Sequence, residues 1–350
     1  MRYHIRHQTL YRYSADVVHS HQLLHLVPRP APFQQCLEHA LQITPAPRER
    51  RDEVDVFGNP MTSIEFEHPH RELKVVANME VEVHTRPVLL AGDSWPWEAV
   101  REVLSYHAYA APGHEQLEAA AFRHESPFVR IKHAFMDYAA DCFTPGRPIL
   151  AAADALSSKL HRDFRYAPGE TTISTPLLEV LEQRRGVCQD FAHVMIACLR
   201  SLGLAARYVS GYVRRLPRPE CASEAPPERA APAEAARVSA GAPAARPSVA
   251  AEGEPAAPAA PEAAAPPEPP AAPIDRAGGA DGASHAWVAV YSPPMGWVEL
   301  DPTNDTRVAA DHVAVAWGRD FGDVSPLRGV ILGGGTHELS VNVAVTPLEN

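Results

Sequence analysis

Apolar and polar residues alternate through Leu73, Val75, Ala77, Met79, Val81 and Val83, the period-two signature of a half-buried strand. Ile64 and Phe66 alternate with Glu65 and Glu67, just after the turn-like Phe57-Gly58-Asn59-Pro60. Leu339, Val341, Val343 and Val345 repeat the pattern near the C-terminus. Residues 1–88 therefore predict an N-terminal β-domain, a sheet or sandwich. Over 89–146 the pattern changes: Ser94-Trp95-Pro96-Trp97-Glu98 reads as a helix start, and two or three helices follow. A further helix is predicted near 147–162.

Two helices then follow in succession. In Thr175-Pro176-Leu177-Leu178-Glu179-Val180-Leu181, Thr175 suits an N-cap and Pro176 the first helical position. Arg184 and Arg185 suit the last turn, and Gly186 a left-handed cap. A new run starts at Cys188 and is apolar nearly all round: Phe191, Ala192, Val194, Met195, Ile196, Ala197, Cys198, Leu199 and Leu202. It predicts a buried central helix. Cys188 occupies its first turn, where unpaired backbone N–H groups favour a thiolate and can hold a developing oxyanion. Cys198, deep in the same helix, reads as a small buried hydrophobe, and Cys36 and Cys142 take the same reading. His193 lies about 140° around the helix from Cys188, so it belongs to packing.

Downstream, residues 285–290 and 297–300 read as strands around the turn Ser292-Pro293-Pro294-Met295-Gly296. A hairpin centred on residue 293 sets His285 opposite Asp301, within side-chain reach. A thiol, an imidazole and a carboxylate in this order can serve as nucleophile, base and orienter. The candidate catalytic residues are thus Cys188, His285 and Asp301.

Residues 217–280 differ from the rest. They hold 15 of the 35 prolines, are rich in Ala and contain no aromatic residue. Such a segment buries too little apolar surface to offset its ordering entropy, so disorder is predicted. Cys221 within it is an exposed thiol with no assigned role. The segment divides the catalytic core into 147–216, with the Cys188 helix, and 281–350, with the His285 and Asp301 strands and the C-terminal strand.

The net charge of −11 argues against nucleic-acid partners. No stretch suits a membrane helix, and Met1–His7 has no apolar leader character. Five cysteines without paired spacing suit a reducing cytoplasm. The groups His19/His21/His25 and His68/His70 come without a Cys pair or a His-Glu-x-x-His helix, so no metal and no cofactor is expected. The oligomeric state is not readable.

The segments Thr175-Pro176-Leu177, Gly186-Val187-Cys188-Gln189-Asp190-Phe191-Ala192, Ala206–Tyr212, Ser284-His285-Ala286-Trp287 and Asp301-Pro302-Thr303-Asn304 together resemble the transglutaminase-like superfamily. The tail, with Asp311-His312, Gly318-Arg319-Asp320-Phe321 and Pro326–Val330, is similar to its bacterial branch. So is the start, through Pro28-Arg29 and Asp55-Val56-Phe57-Gly58-Asn59. The resemblance implies an α+β fold: a papain-like core, with its central helix packed on an antiparallel sheet, behind an N-terminal β-sandwich-like domain. It implies Cys188 as nucleophile, His285 as base and Asp301 as orienter, and suggests Tyr166 as an aromatic oxyanion stabiliser. Three activities are open: hydrolysis of a peptide or amide bond in a protein or peptide substrate, Gln–Lys crosslinking, and a noncatalytic interaction module. Hydrolysis is favoured, because nothing marks a lysine-donor site.

Overall fold

The computed structural model describes residues 1–105, 113–214 and 282–348. The predicted insertion 217–280, with Cys221, lies outside the described residues.

The N-terminal strands are β1 (Arg2–Leu24), β2 (Gln34–Thr44), β3 (Glu49–Val54), β4 (Pro60–Phe66) and β5 (His70–Val83). Leu73, Val75, Ala77, Met79, Val81 and Val83 are all buried, so the alternation read from the sequence is the packing pattern of β5. The long β1 organises this antiparallel sheet. Its first half pairs with β5, its last residues with β4, and its register shifts between Arg12 and Val17.

Two strands from the far end of the chain complete this sheet: β13 (Leu327–Gly333) and β14 (His337–Leu348). β14 runs along β1 from Arg2↔Leu348 to Tyr13↔His337. The C-terminal strand, expected with the second half of the core, thus belongs to the N-terminal sheet. The reason is an edge: β5 covers only one side of β1, and the open side would be a free hydrogen-bonding ladder without β14.

The helices are α1 (Trp97–Val103), α2 (His114–Ala120), α3 (His133–Ala139), α4 (Ile149–Asp163), α5 (Leu177–Gln183), α6 (Cys188–Ser201) and the short α7 (Phe321–Val324). α6 is the predicted central helix: every residue from Asp190 to Arg200 is buried. It packs on a second sheet and is flanked by α3, α4 and α5. That sheet contains β8 (Ala206–Arg214), β9 (Gly282–Ser292), β10 (Gly296–Asp301), β11 (Thr306–Arg307) and β12 (His312–Gly318), in the order β11-β10-β9-β8-β12. A two-stranded parallel pair, β6 (Arg165–Tyr166) and β7 (Arg185–Gly186), stands beside the start of α6.

One expected cap moves. Arg184, not Gly186, takes the left-handed conformation that ends α5 (φ 53°). Thr175 is not the cap of α5 either; its hydroxyl accepts a hydrogen bond from the Thr172 N–H. Gly186 is instead a strand residue, for a reason that belongs to the site.

Two amide side chains close the free edge of β12 against the N-terminal sheet. Gln34 donates to the Ala314 carbonyl (2.7 Å) and accepts from the Ala314 N–H (2.8 Å). Asn59 does the same for Trp317, at 2.9 Å in both directions. Each amide mimics a strand neighbour, which satisfies backbone groups that would otherwise be orphaned or sticky. Asp55 fixes Asn59 by accepting from its N–H and its side-chain amide. Gly58 makes the turn between them possible at φ +77°.

β8 and β9 are antiparallel neighbours, and Arg214 pairs with Gly282. Arg214 and Gly282, which flank residues 215–281, therefore lie only about 5 Å apart. A hairpin loop of about four residues can replace the whole segment. The shortened protein is expected to fold, to keep activity on a small substrate and to gain roughly 2 kcal/mol from cheaper loop closure. Thermal melting and a small-substrate assay check this. A large fall in melting temperature would mean that the segment contributes packing to the fold.

Candidate active site

The approach to Cys188 is built by backbone pairing. Tyr166 pairs with Gly186, and the Ala167 N–H donates to the Gly186 carbonyl at 2.8 Å. The chain then passes through extended Val187 (φ −109°, ψ 178°) into α6. Val187 has no side-chain acceptor to cap the helix. Asp190 in the first turn reaches back instead: its Oδ2 accepts from the Val187 N–H (2.8 Å) and from the Thr171 hydroxyl (2.7 Å). Burial pushes the Asp190 carboxyl up, while these hydrogen bonds pull it down. Gly186 is required by this approach, because a Cβ there would stand 2.4 Å from Asp190 Oδ2. Cys188 is left half-buried at the helix start, reachable from outside.

Asp190→Ala is expected to cost about 1 kcal/mol, as lost helix caps do. Turnover should fall further than this stability loss implies, because the Val187–Cys188 backbone loses its anchor. Asp190→Asn keeps an acceptor and should recover most of both. Melting curves and kcat for the two variants test the anchor; equal kcat in wild type and Asp190→Ala would refute it.

His285 and Asp301 meet as the sequence suggests, by a different register. The β9–β10 ladder pairs Ser292 with Gly296 and Val288 with Leu300, so the hairpin is centred on residue 294 and not 293. The Met295 N–H closes the turn on the Ser292 carbonyl, and Gly296 takes the positive φ (76°) of a three-residue hairpin loop. Asp301 is therefore diagonal to His285 and not directly opposite. The shift keeps both on one face, and His285 Nε2 donates to Asp301 Oδ2 at 2.6 Å. The Cys188 thiol lies close enough to the His285 ring to raise its pKa.

Burial alone would lower the His285 pKa. The hydrogen bond to Asp301, together with the neighbouring Cys188 and Asp301 charges, outweighs it and pushes the imidazole up to about 10. Burial would likewise raise the Asp301 carboxyl, but hydrogen bonds from His285 and His312 and the His285 charge hold it well below the usual carboxylate range. Asp301 is fully buried. Its Oδ1 accepts from the Thr303 and Asn304 N–H groups at 3.0 and 3.2 Å. Its Oδ2 accepts from His285, from Asn304 Nδ2 (2.6 Å) and from His312 Nε2 (3.2 Å).

Sequence reasoning missed Asn304, His312 and Asp190 as parts of this arrangement. Asp190 carried a local signal, an acid placed to reach back over the helix start. His312 carried none. In a flat sheet β10 and β12 would lie about 14 Å apart. Only the curl of this sheet brings His312 to Asp301.

The other residues fall as follows. His193 is a packing residue: it stacks on Phe128, its Nε2 accepts from the Phe321 N–H at 3.1 Å, and burial lowers it to about 4. Cys198 and Cys142 are buried, and burial pushes both thiols upward. Cys36 is only half-buried. Tyr166 is 46% exposed, beside the Gly186 step that leads to Cys188. The ligand atoms of His285, Asp301 and His312 lie within 4.8 Å of one another, a spacing that raises the question of a metal. The 2.6 Å contact of His285 with Asp301 is a hydrogen bond. Two ligands of one tetrahedral zinc would stand about 3.3 Å apart.

Among the described residues no helix is long and apolar enough to cross a membrane. Residues 3–82 match the bacterial transglutaminase-like N-terminal region, and residues 137–302 match the transglutaminase-like superfamily core. The uncharacterized protein Rv2569c of Mycobacterium tuberculosis (strain ATCC 25618 / H37Rv) is 35% identical over 356 residues, spanning 99% of this chain and 93% of that one. The uncharacterized protein ML0607 of Mycobacterium leprae (strain TN) is 28% identical over 354 residues, 99% of each chain. A solved structure described as "a Putative Cysteine Protease from Cytophaga hutchinsonii" superposes with a TM-score of 0.63 at 16% identity, covering 100% of this chain and 92% of that one. With its curled antiparallel sheet, its buried cysteine helix and matches spanning both regions, this α+β chain belongs to the transglutaminase-like superfamily and carries the bacterial transglutaminase-like region at its N-terminus.

Proposed function

We propose that this protein is a cysteine-dependent amide- or peptide-bond hydrolase acting on a protein or peptide. The observation that carries the reading is the 2.6 Å hydrogen bond of His285 to the buried Asp301 carboxylate, with the Cys188 thiol near enough to act on the same ring. Cys188 gives its proton to His285 and attacks the carbonyl carbon as a thiolate. The tetrahedral oxyanion sits against the unpaired N–H groups at the start of α6, with Tyr166 as the side-chain candidate to join them. His285 then protonates the leaving amine, the C–N bond breaks, and a thioester remains on Cys188. Water, deprotonated by His285, attacks the thioester and releases the acid. Asp301 keeps the His285 ring oriented and offsets the imidazolium charge at each stage. A reducing cytoplasm, where thiols stay free, suits such a nucleophile.

Hydrolysis and amine transfer share every step up to the thioester and differ in the acceptor. Incubation of the protein with a Gln-containing peptide, with and without a labelled primary amine, separates them. The account expects free carboxylate to form at a rate the amine does not reduce. Incorporation of label in place of hydrolysis would make the protein a crosslinking enzyme. Neither product, with Cys188 unmodified, would leave a binding module.

A further inference from the structure

Asp301 receives a second histidine that the reaction above does not use. His312 Nε2 lies 3.2 Å from Asp301 Oδ2, and its Nδ1 lies 2.7 Å from Asp311 Oδ1. A carboxylate only accepts hydrogen bonds. A ring with a carboxylate at each nitrogen satisfies both contacts only by donating from both, which makes it an imidazolium. His312 is buried, and Trp287 packs edge-on against it with ring centroids 5.3 Å apart. The charged and titratable groups around it are Asp301 from β10, His285 from β9 and Asp311 beside it, with Arg214 of β8 and Tyr3 of β1 within electrostatic range of one another and Tyr3 within that of Asp311.

The result is a row of five groups, Asp311, His312, Asp301, His285 and Cys188, buried at its three central members and half-exposed at its two ends. Its charges alternate once the thiol has passed its proton to His285. We propose that His312, held by Asp311, is a positioning residue of the active site: as an imidazolium it fixes the Asp301 carboxylate and moderates the pull of Asp301 on the His285 proton. The inference rests on the Cys188–His285 reading above. Without His312 the carboxylate keeps its hydrogen bonds from His285 and Asn304 but loses its second positive neighbour. Its full charge then acts on His285, whose proton is held more tightly and is a poorer acid toward the leaving amine. The two imidazole centroids are 6.3 Å apart. Unit charges at that range, at an effective dielectric constant of about 20, shift one another by about two pH units. Burial opposes a charge on His312, but its hydrogen bonds to Asp301 and Asp311 outweigh it and raise its pKa, in keeping with the geometry.

The test is the pH dependence of Cys188 alkylation by iodoacetamide in the full chain, for wild type, His312→Gln, Asp311→Asn and His285→Ala. Glutamine can place an N–H where Nε2 stands, so His312→Gln keeps the hydrogen bond to Asp301 and removes only the charge. The expected result is a His285-dependent alkaline inflection, replaced in His285→Ala by an ordinary thiol titration, that rises by about two pH units in His312→Gln. It should rise by less in Asp311→Asn, where the ring can stay charged against Asp301. His312→Gln should also lower kcat more than it changes KM. If the wild-type inflection depends on His285 but His312→Gln leaves it in place and alters only the melting temperature, His312 is structural and the inference fails. If wild type and His285→Ala give the same profile, the Cys188–His285 reading itself fails.

Discussion

Cys188→Ala is expected to abolish turnover, a loss on the order of 10⁶ in kcat, because covalent catalysis has no substitute atom at that position. The fold should survive. Cys188 is half-buried at a helix start, and α6 is held by Asp190, by Phe191 and by the apolar residues behind them. Cys198→Ala is the matched control. Its thiol is fully buried in the same helix, so removal leaves a small cavity that costs about 1–2 kcal/mol while activity persists. Turnover and melting temperature of the two variants should therefore move in opposite patterns. A Cys198→Ala protein that is stable and inactive, beside an active Cys188→Ala protein, would put the chemistry at the wrong cysteine.

Asp301→Asn should lower kcat by roughly 10³–10⁴ while Cys188 can still be alkylated. The carboxylate accepts on both oxygens at once, from backbone N–H groups on Oδ1 and from three side chains on Oδ2. An amide offers one acceptor, so either orientation points its NH₂ at groups that are themselves donors. His285 and His312 both lose their compensating charge. Removing one partner of a buried pair of this kind costs about 3–5 kcal/mol. The pH dependence of that cost follows from the two shifts. Asp301 titrates below its unfolded value, so its stabilisation is present above about pH 4 and is lost as pH falls further. His285 is raised to about 10, so its stabilisation is complete below about 6.5, the unfolded value, and is lost as pH rises through about 10. The gap in melting temperature between wild type and Asp301→Asn should be widest near pH 5–6. It should narrow below pH 4, and progressively between about pH 6.5 and 10. A gap independent of pH would mean that the contact is steric and not ionic.

Much of this architecture is legible in the sequence because its signals are local. The β5 alternation, the all-apolar helix behind Cys188 and the Pro-rich turn before Gly296 each depend on neighbours within a few residues. Cys188 and Asp301 were legible as candidates because each sits at an element end, where chemistry stands out from packing, and His285 because the hairpin turn sets it on the face of Asp301. The register error arose at Gly296: a left-handed glycine closing a three-residue loop moves the centre of the hairpin by one residue. Parity then kept Asp301 and His285 on one face. What local patterns do not carry is curvature and edge closure. β14 on β1, Gln34 and Asn59 on β12, and His312 on Asp301 all join residues far apart in the chain. Their partners are decided by which edges remain open once the sheets have formed.

The most direct test of the central claim is competitive labelling of the cysteines. The native protein is treated at pH 6 with substoichiometric iodoacetamide, and the modified cysteine is located by peptide mass. The account predicts that Cys188 takes the label first, ahead of half-buried Cys36 and of Cys221, and that His285→Ala removes this preference. Labelling of Cys188 no faster than Cys36, unchanged by His285→Ala, would contradict it.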